Sequence, residues 1–243
     1  RSLKMAFLTN ISALKSLGNP FISLLFPNQC LVCSGGESHS PDPLCPECIN
    51  ALHPIRLENR TDAITVRDNI DYASTGWNFT EELRTTVHSL KYEDRAKIGA
   101  FLGRELGRRF EHKSLLNLDL IVPVPLHPVK FRERGYNQAE WIAKGLGDAL
   151  DIPVKNDLVK RVRYTNTQTA LNQAERLENM KQAFKIAGSV MGLALGIVDD
   201  VLTTGSTLSS MAAVLKNSGA VSICALTIAT PLEQKNDSNI KSI

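Results

Sequence analysis

Residues 195–208 read Leu-Gly-Ile-Val-Asp-Asp-Val-Leu-Thr-Thr-Gly-Ser-Thr-Leu, an apolar run that ends in two adjacent carboxylates and continues into a turn rich in hydroxyls. The run predicts a buried strand, which places Asp199 and Asp200 at the carboxyl edge of a sheet, where α/β folds bind their ligands. The turn 203–207 offers backbone N–H groups and hydroxyls, and the helix that follows directs its positive end to the same place. This stretch therefore predicts acceptors for sugar hydroxyls beside a cradle for a phosphate.

Two adjacent carboxylates at a strand end need a partner, because like charges repel each other and ionised groups gain nothing from apolar packing. The alternative is a buried strand followed by a polar turn that binds nothing. A Walker-type loop is excluded, since Gly205 is not followed by lysine and no G-x-x-x-x-G-K-[ST] run occurs. The motif resembles the phosphoribosyl pyrophosphate (PRPP) motif of type I phosphoribosyltransferases, in which two acidic residues hold the ribose hydroxyls and a Thr-Thr-Gly-x-Thr turn holds the 5-phosphate.

The composition indicates a soluble globular protein with one substantial core and a small appendage, since the chain has 243 residues and is 43% hydrophobic. Its 28 basic and 25 acidic residues leave a formal charge of +3, which excludes attraction of the whole molecule to nucleic acid. Any basic surface must be local. The apolar run 21–26 ends at Pro27, far short of a membrane span. We therefore expect a cytoplasmic protein.

Two Cys-x-x-Cys pairs lie near the start of the chain: Cys30 with Cys33, and Cys45 with Cys48. Each pair forms a tight knuckle that brings two thiolates to one ion, so the spacing predicts a tetrahedral, structural Zn²⁺ site. With four thiolate ligands, no position is left open for a catalytic water. Two disulfides are the competing interpretation, but no feature of the sequence indicates secretion, and a reducing compartment keeps thiols free.

Helices and strands alternate from about residue 69 onward. Apolar residues recur at helical spacing in four segments, and short apolar runs such as 120–122 and 221–229 lie between them. This alternation predicts an α/β fold with a mostly parallel sheet flanked by helices, and the resemblance of the motif makes it type I phosphoribosyltransferase-like. The residues that mark the helical faces are Leu83, Val87, Leu90; Ile98, Leu102, Leu106, Phe110; Ile142, Leu146, Ala149; and Leu208, Met211, Ala212, Leu215.

Changes in composition along the chain predict four parts. Glycine and proline residues around the cysteine pairs supply the turns of a zinc ribbon, and the alternation of helices and strands begins only after it. We expect an N-terminal helical segment at 1–25, a zinc-ribbon module at 26–68, a phosphoribosyltransferase-like domain at 69–232 and a polar tail at 233–243.

Two further segments are expected to contact the same ligand as the acidic pair. Pro125, Leu126 and His127 leave the end of a predicted strand at the same sheet edge. Arg132 and Arg134 follow at alternate positions, which suits a pyrophosphate group; the alternative is a solvated basic loop. The predicted PRPP-binding residues are Val201, Leu202, Thr203, Thr204, Gly205, Ser206, Thr207, Pro125, Leu126, His127, Arg132, Arg134, Lys160, Arg161 and Arg163.

The segment 160–169 is basic at its start and polar after it, with no apolar period to fix it against a core. We interpret it as a mobile lid in which Lys160, Arg161 and Arg163 approach the departing pyrophosphate. The alternative is a surface connector. Tyr136 and Tyr164, which lie among basic residues, leave open a third interpretation, in which they stack on the bases of a single strand.

Seven motifs occur in one order along residues 26–230, and together they resemble the ComF family, also called the ComF/GntX type. That resemblance implies a bacterial cytoplasmic protein with a zinc ribbon and a phosphoribosyltransferase domain, linked to the import of transforming DNA, that keeps a PRPP pocket. The motifs are Phe26-Pro27-x-x-Cys30-x-x-Cys33, Leu44-Cys45-x-x-Cys48, Leu90-Lys91-Tyr92, Val122-Pro123-Val124-Pro125-Leu126-His127, Arg132-x-Arg134-Gly135-Tyr136-Asn137-Gln138-Ala139, Arg163-x-Thr165-x-x-Gln168 and the run from Asp199 to Thr207.

Thr203 stands where the similar 6-oxopurine salvage enzymes carry an acidic residue near the purine, so the resemblance argues against hypoxanthine or guanine salvage. The first hypothesis is a PRPP-binding protein of DNA uptake that uses Mg²⁺ carried on the pyrophosphate. If it turns over, it is a phosphoribosyltransferase, a glycosyltransferase in which Asp199 and Asp200 hold the ribose. The alternatives are a non-catalytic module that binds single-stranded DNA or DNA-uptake proteins and senses PRPP or a nucleotide phosphate, and a nucleobase-salvage enzyme.

Overall fold

The predicted motif strand lies inside a four-stranded parallel sheet. The computed structural model describes residues 30–33, 35, 42–64, 69–92, 95–110, 117–162 and 183–231. Its strands are β1 (Tyr72–Asn78), β2 (Leu120–Pro123), β3 (Val159–Arg161), β4 (Phe184–Ile186), β5 (Ala194–Val201) and β6 (Ser222–Thr230). The parallel sheet has the order β1-β6-β5-β2, while β3 and β4 form a separate antiparallel hairpin. The prediction of an α/β fold built on a mostly parallel sheet is confirmed.

Six α-helices are found in the described part of the chain. They are α1 (Pro46–Asn50), α2 (Glu81–Tyr92), α3 (Ala96–Arg108), α4 (Pro128–Arg134), α5 (Gln138–Leu150) and α6 (Ser206–Asn217). Local chemistry sets the bounds of α4: His127 caps its first turn, Pro128 occupies its first position, and Gly135 ends it in the left-handed conformation. Asn137 then caps α5 through its side-chain oxygen.

Helices cover both faces of the sheet. On one face, Leu195 and Ile197 of β5 share a core with Leu208, Met211 and Leu215 of α6. On the other face, α5 packs on β2 and β5, and α3 packs on α5. The contact between α3 and α5 is close because it is made by glycines. A Cβ at Gly103 would lie 2.1 Å from the carbonyl oxygen of Ile142, and one at Gly145 would lie 1.9 Å from that of Ala100.

An antiparallel segment, residues 53–60, covers the β1 edge of the sheet. Pro54 bridges to Trp77, and the backbone N–H of Arg60 donates to Ala73 at 2.7 Å. Arg109 donates to the carbonyl oxygens of Gly76 and Ile55, and its guanidinium lies 5.2 Å from the Trp77 ring. Residues 51–64 are therefore part of the unit that contains the sheet.

The chain divides into two compact units, residues 1–50 and 51–243. This division falls earlier than the boundary that the composition suggested after residue 68. The whole of the expected N-terminal segment and of the polar tail, and the part of the expected lid after residue 162, lie outside the described residues. No helix among the residues that the structure describes is long and apolar enough to span a membrane.

Candidate functional site

The acidic pair lies at the carboxyl end of β5, and its two members make different contacts. The backbone N–H of Asp200 donates to Asp199 Oδ1 at 2.9 Å, and the N–H of Val201 donates to Asp200 Oδ1 at 2.8 Å. Asp200 Oδ2 lies 2.5 Å from Lys91 Nζ on the last turn of α2. Asp200 is buried, whereas Asp199 is partly exposed. One acid is therefore paired inside the protein, and its neighbour faces the sheet edge.

Burial, together with the charge of Asp200, raises the pKa of Asp199 to about 7. The backbone N–H of Asp200 and the ammonium of Lys91 act in the opposite direction, but they do not outweigh burial. Asp199 therefore changes its charge near neutral pH. A ligand that donates hydrogen bonds to this carboxylate would favour the ionised form and relieve that cost.

The turn 203–207 opens α6 directly after β5. Gly205 adopts the left-handed conformation, with φ of 72°, and a Cβ there would also lie 2.6 Å from Ile64 Cγ2, so only glycine fits. Because Gly205 is the N-cap, the first turn of α6 has no side-chain cap of its own. The hydroxyl oxygens of Thr204 and Ser206 lie 2.8 Å apart, and the N–H of Ser206 points to Thr204 Oγ1 at 3.4 Å. The turn thus presents hydroxyls and helix amides suited to an anion.

The end of β2 brings a second predicted segment to the same edge. The N–H of Val124 donates to the carbonyl oxygen of Val198 at 2.8 Å, so residues 125–127 leave the sheet beside the acidic pair. Pro125, Leu126 and His127 are all partly exposed there. The Nδ1 atom of His127 accepts from the N–H of Val129 at 3.3 Å, which occupies that nitrogen as a helix cap.

The predicted cations take different positions. Arg161 is partly buried, lies 5.6 Å from the Phe184 ring and interacts electrostatically with Asp199; burial lowers its pKa, and the Asp199 charge opposes that shift. Lys160 is exposed on the opposite side of β3. On α4, Arg132 is exposed and Arg134 donates to Gln138 Oε1 at 2.8 Å. Arg163 lies outside the described residues, so Arg161 is the predicted cation that the structure brings to the acidic pair.

Lys91 was not among the residues predicted for the site, although the Leu90-Lys91-Tyr92 run belongs to the motifs of the resemblance. Its partner lies far away along the chain, so no local pattern indicates the pair. The structure fixes its position from two sides: the Tyr136 hydroxyl donates to the carbonyl oxygen of Leu90, and Lys91 reaches Asp200.

A row of buried polar residues crosses the sheet at the level of Asp199. Asp199 pairs in register with Thr227 of β6, and Thr227 pairs with Thr75 of β1. Register partners in a parallel sheet lie on the same face. The hydroxyls of Thr75 and Thr227 are buried and make no hydrogen bond with any described residue. The polar character of the site thus continues into the sheet.

In the first unit, four cysteine sulfurs lie within 4.8 Å of one another: those of Cys30, Cys33, Cys45 and Cys48. The Sγ atoms of Cys33 and Cys45 are 3.8 Å apart, close to the separation of two thiolates on one tetrahedral Zn²⁺ with bonds of about 2.3 Å. Although burial disfavours the thiolate, backbone N–H groups, including that of Val32 at 3.4 Å, lower the pKa of Cys30 to about 6. The cysteines are free of disulfides, and their arrangement fits a zinc ion.

Several known proteins that are similar to this chain carry names that refer to competence and to DNA utilization. The chain is 36% identical to competence protein F of Haemophilus influenzae over 200 residues, which are 79% of this chain and 87% of that protein. It is 33% identical to DNA utilization protein YhgH of Salmonella typhimurium over 207 residues, 80% of this chain and 86% of that protein. Competence protein ComFC of Streptococcus pneumoniae is 28% identical over 127 residues, 52% and 51% of the two chains. No protein-family model matches the chain.

Partial overlaps with solved structures also occur. Glutamine PRPP amidotransferase from B. subtilis, complexed with ADP and GMP, overlaps 57% of this chain and 30% of its own, with 20% identity and a TM-score of 0.40. Purine phosphoribosyltransferase from Pyrococcus horikoshii overlaps 56% of this chain and 73% of its own, with 22% identity and a TM-score of 0.34. At these scores the overlaps carry no weight for the function.

Proposed function

The chain belongs to the ComF family, and on that premise we propose that it binds PRPP with Mg²⁺ at the carboxyl edge of its parallel sheet and acts in the handling of imported DNA. The names of its relatives, competence protein F and DNA utilization protein YhgH, support the second part of the proposal. The first part rests on the residues of the site.

One observation carries the binding proposal: a partly exposed carboxylate with a pKa of about 7 lies directly before an uncapped helix N-terminus. Burying a charge beside a like charge costs free energy unless contacts with a ligand offset that cost. A ribose hydroxyl donates to a carboxylate, and a phosphate accepts from helix amides. A sugar phosphate brings both groups in one molecule.

Each part of the ligand has its own residues in this proposal. Asp199 and Asp200 accept from the ribose hydroxyls, the turn 203–207 holds the 5-phosphate, and Arg161 approaches the pyrophosphate. Mg²⁺ is carried on the pyrophosphate oxygens rather than in a protein cage. In the first unit, the four cysteines hold a structural Zn²⁺ whose thiolate ligands fill every coordination position.

If the protein turns PRPP over, a nucleophile attacks the anomeric carbon as the bond to pyrophosphate breaks. Positive charge develops on the sugar ring in that step, and the acidic pair lies on the protein side of the ring. The carboxylates would stabilise this charge, and the cations would stabilise the leaving group. Isotope-labelled PRPP incubated with separate panels of nucleobases and amines tests turnover.

Calorimetric titration of PRPP with Mg²⁺ tests the binding proposal. Replacing Asp199 and Asp200 together by Asn is expected to weaken binding by roughly 3 to 6 kcal/mol, at about 1.5 to 3 kcal/mol for each of two charge-assisted hydrogen bonds. A matched control replaces two exposed aspartates, Asp148 and Asp157, by Asn and keeps the wild-type affinity. Equal affinity in the two double variants would remove the proposal.

A second candidate function, binding of single-stranded DNA, is favoured by one observation on α4. Phe131 is 45% exposed between Lys130 and Arg132, an aromatic ring among cations on the outer surface. Bases stack on such rings while the cations contact the phosphates. Phe131→Ala is then expected to cost about 1 to 3 kcal/mol in DNA affinity. The control Val221→Ala removes a residue that is 60% exposed at the amino end of β6 and leaves DNA affinity unchanged.

The salt dependence of affinity distinguishes binding of single-stranded DNA from binding of the pyrophosphate of PRPP. Replacing Lys160, Arg161 and Arg163 by Ala should flatten the slope of log affinity for single-stranded DNA against log salt by up to about two, at roughly 0.7 for each phosphate contact. If these residues serve only pyrophosphate, the slope stays and PRPP binds more weakly. If the protein binds no single-stranded DNA at low salt, the second candidate function is excluded and only the PRPP-binding function remains.

A further inference from the structure

We propose that Lys91 is a positioning residue of the carboxyl-edge site: it holds Asp200 as an oriented acceptor and leaves Asp199 as the carboxyl that responds to the ligand. This inference rests on the proposed function and extends it, because it assigns different tasks to two adjacent aspartates and adds a residue to the site.

The contacts of Asp200 are complete on the protein side. Its Oδ1 atom accepts from the N–H of Val201 at 2.8 Å, and its Oδ2 atom lies 2.5 Å from Lys91 Nζ. The side chain of Asp200 is 9% exposed and that of Lys91 is 24% exposed. Asp200 Oδ1 is therefore fixed in direction and keeps a lone pair for a hydroxyl of the ligand, whereas Oδ2 is buried beside the ammonium of Lys91.

Asp199 has different contacts. Its Oδ1 atom accepts from the N–H of Asp200 at 2.9 Å, and its carboxyl also interacts with the side chain of Asp200. The charged groups that act on it are Asp200 on β5, Lys91 on α2 and Arg161 on β3. Lys91 forms its ion pair with Asp200, so its attraction reaches Asp199 only over a longer distance. The lysine thus makes the two acids unequal.

Lys91 is held in place by a closed ring of contacts around the site. The N–H of Val124 donates to Val198 of β5, and the side-chain amide of Asn137 donates to the carbonyl oxygen of Val124 at 3.0 Å. Tyr136, beside Asn137, donates to Leu90, and Lys91 returns the ring to β5 through Asp200. The last turn of α2 also favours a cation, because its carbonyl groups are partly negative. A lysine anchored in this way serves to position, since it has little freedom to follow a ligand.

The test compares Lys91→Met and Lys91→Gln with a matched lysine at the other end of the sheet. Lys216 forms an ion pair with Asp71 at 2.8 Å, so Lys216→Met removes the same kind of pair away from the site. Two quantities are measured between pH 6 and 9: PRPP affinity with Mg²⁺, and the titration of ¹³C-labelled aspartate carboxyls in the ligand-free protein. Titration of the ligand is common to all variants, so differences between variants report on the protein.

Loss of the Lys91 charge is expected to move the carboxyl titration of the acidic pair up by about one pH unit, since an opposite charge nearby lowers a carboxyl pKa by about 1 to 3 units. PRPP affinity at pH 7 then falls about tenfold and recovers toward pH 9, where Asp199 is ionised. Lys91→Arg restores both quantities to near wild type. Lys216→Met leaves both unchanged.

Other results overturn the inference. If the Lys91 variants lose the same factor in affinity at every pH and their carboxyl titration matches wild type, Lys91 has only a structural role. If wild-type protein binds no PRPP, the proposed function fails, and the carboxyl titration alone then decides: a shift in the Lys91 variants supports the positioning role and its absence refutes it. Should the Met variant fold poorly, Gln keeps the polar contact, and Arg keeps the charge.

Discussion

The two ends of the parallel sheet each carry a lysine paired with an aspartate, but the pairs differ in what lies beside them. At the amino end, Asp71 Oδ2 accepts from Lys216 Nζ at 2.8 Å and from the N–H of Ile223 at 2.7 Å. At the carboxyl end, Asp200 pairs with Lys91 and accepts from Val201 in the same manner. Only the carboxyl end adds a second acid, Asp199, directly beside the first.

The carboxyl pKa values at the two ends of the sheet shift in opposite directions. Burial acts to raise the pKa of Asp71, but Lys216 and the N–H of Ile223 outweigh it and hold that pKa below its usual value. At the carboxyl end, burial and the charge of Asp200 raise the pKa of Asp199 to about 7. At the amino end, groups of the protein offset the charge of Asp71. At the carboxyl end, they offset the charge of Asp199 only in part. This difference is one reason why we propose the carboxyl end as the ligand site.

If the proposed ligand site depends only on the sheet, removal of the proposed zinc ion from the first unit should not affect it. Chelation is expected to abolish the structure around the four cysteines, because zinc binding in such sites contributes about 10 to 16 kcal/mol. Hydrogen exchange of residues 30–50 should rise, while PRPP affinity stays within about threefold. Metal analysis should find one zinc per chain. Protein purified under reducing conditions without zinc, or with disulfides at these pairs, would contradict the prediction.

Replacing Asp199 by Asn tests the raised pKa of this residue through the pH dependence of the free energy of unfolding. Between about pH 4 and 7 the unfolded carboxyl is ionised while the folded one keeps its proton, so wild type loses stability as pH rises, by at most about 1.4 kcal/mol per unit. The variant lacks this loss. In denaturant unfolding, the free energy of unfolding of Asp199→Asn relative to that of wild type should therefore rise by about 2 kcal/mol from pH 4 to pH 7. A constant difference over this range would show that Asp199 titrates normally.

Replacing Asp71 by Asn should show the opposite dependence on pH. The lowered pKa of Asp71 stabilises the folded state above about pH 4, and this contribution is lost as pH falls through the folded pKa. Because the Asp71 side chain is 48% exposed, solvent screening limits the effect to about 1 kcal/mol at pH 7. PRPP affinity should not change. A loss of affinity here would mean that the two ends of the sheet are coupled.

The smallest effect concerns the buried row beside Asp199. Thr227→Val keeps the shape of the side chain and removes a hydroxyl that makes no hydrogen bond with any described residue, so the free energy of unfolding should change by no more than about 0.5 kcal/mol. A loss above about 1 kcal/mol would mean that this hydroxyl has a partner, such as an ordered water shared with Asp199.

Local patterns were sufficient to predict the elements that form the site. The run 195–208 contains the apolar strand, the acidic pair, the glycine with positive φ and the start of the helix, and each feature depends on neighbours along the chain. The helical faces behave likewise: Leu83, Ile98 and Ile142 lie in the core as their periodicity predicts.

Features that depend on residues distant in sequence were not predictable in this way. The ion pair between Lys91 and Asp200 joins α2 to β5, and the local sequence around either residue does not indicate its partner. The segment 53–60 was expected within the zinc-ribbon module at 26–68, yet it pairs along β1, because an open sheet edge accepts a neighbour of almost any sequence. The expected lid begins as strand β3, because Val159 is buried and pairs with Ile186.

A crystal structure of the protein grown with PRPP and Mg²⁺ would show directly whether the ligand binds at the carboxyl edge of the sheet. We expect the 5-phosphate on the backbone amides of 204–207, with a ribose hydroxyl within hydrogen-bond distance of Asp199 and the ion pair of Lys91 with Asp200 intact. Ligand density elsewhere on the molecule, or a carboxyl edge that stays without ligand at concentrations saturating in solution, would contradict it.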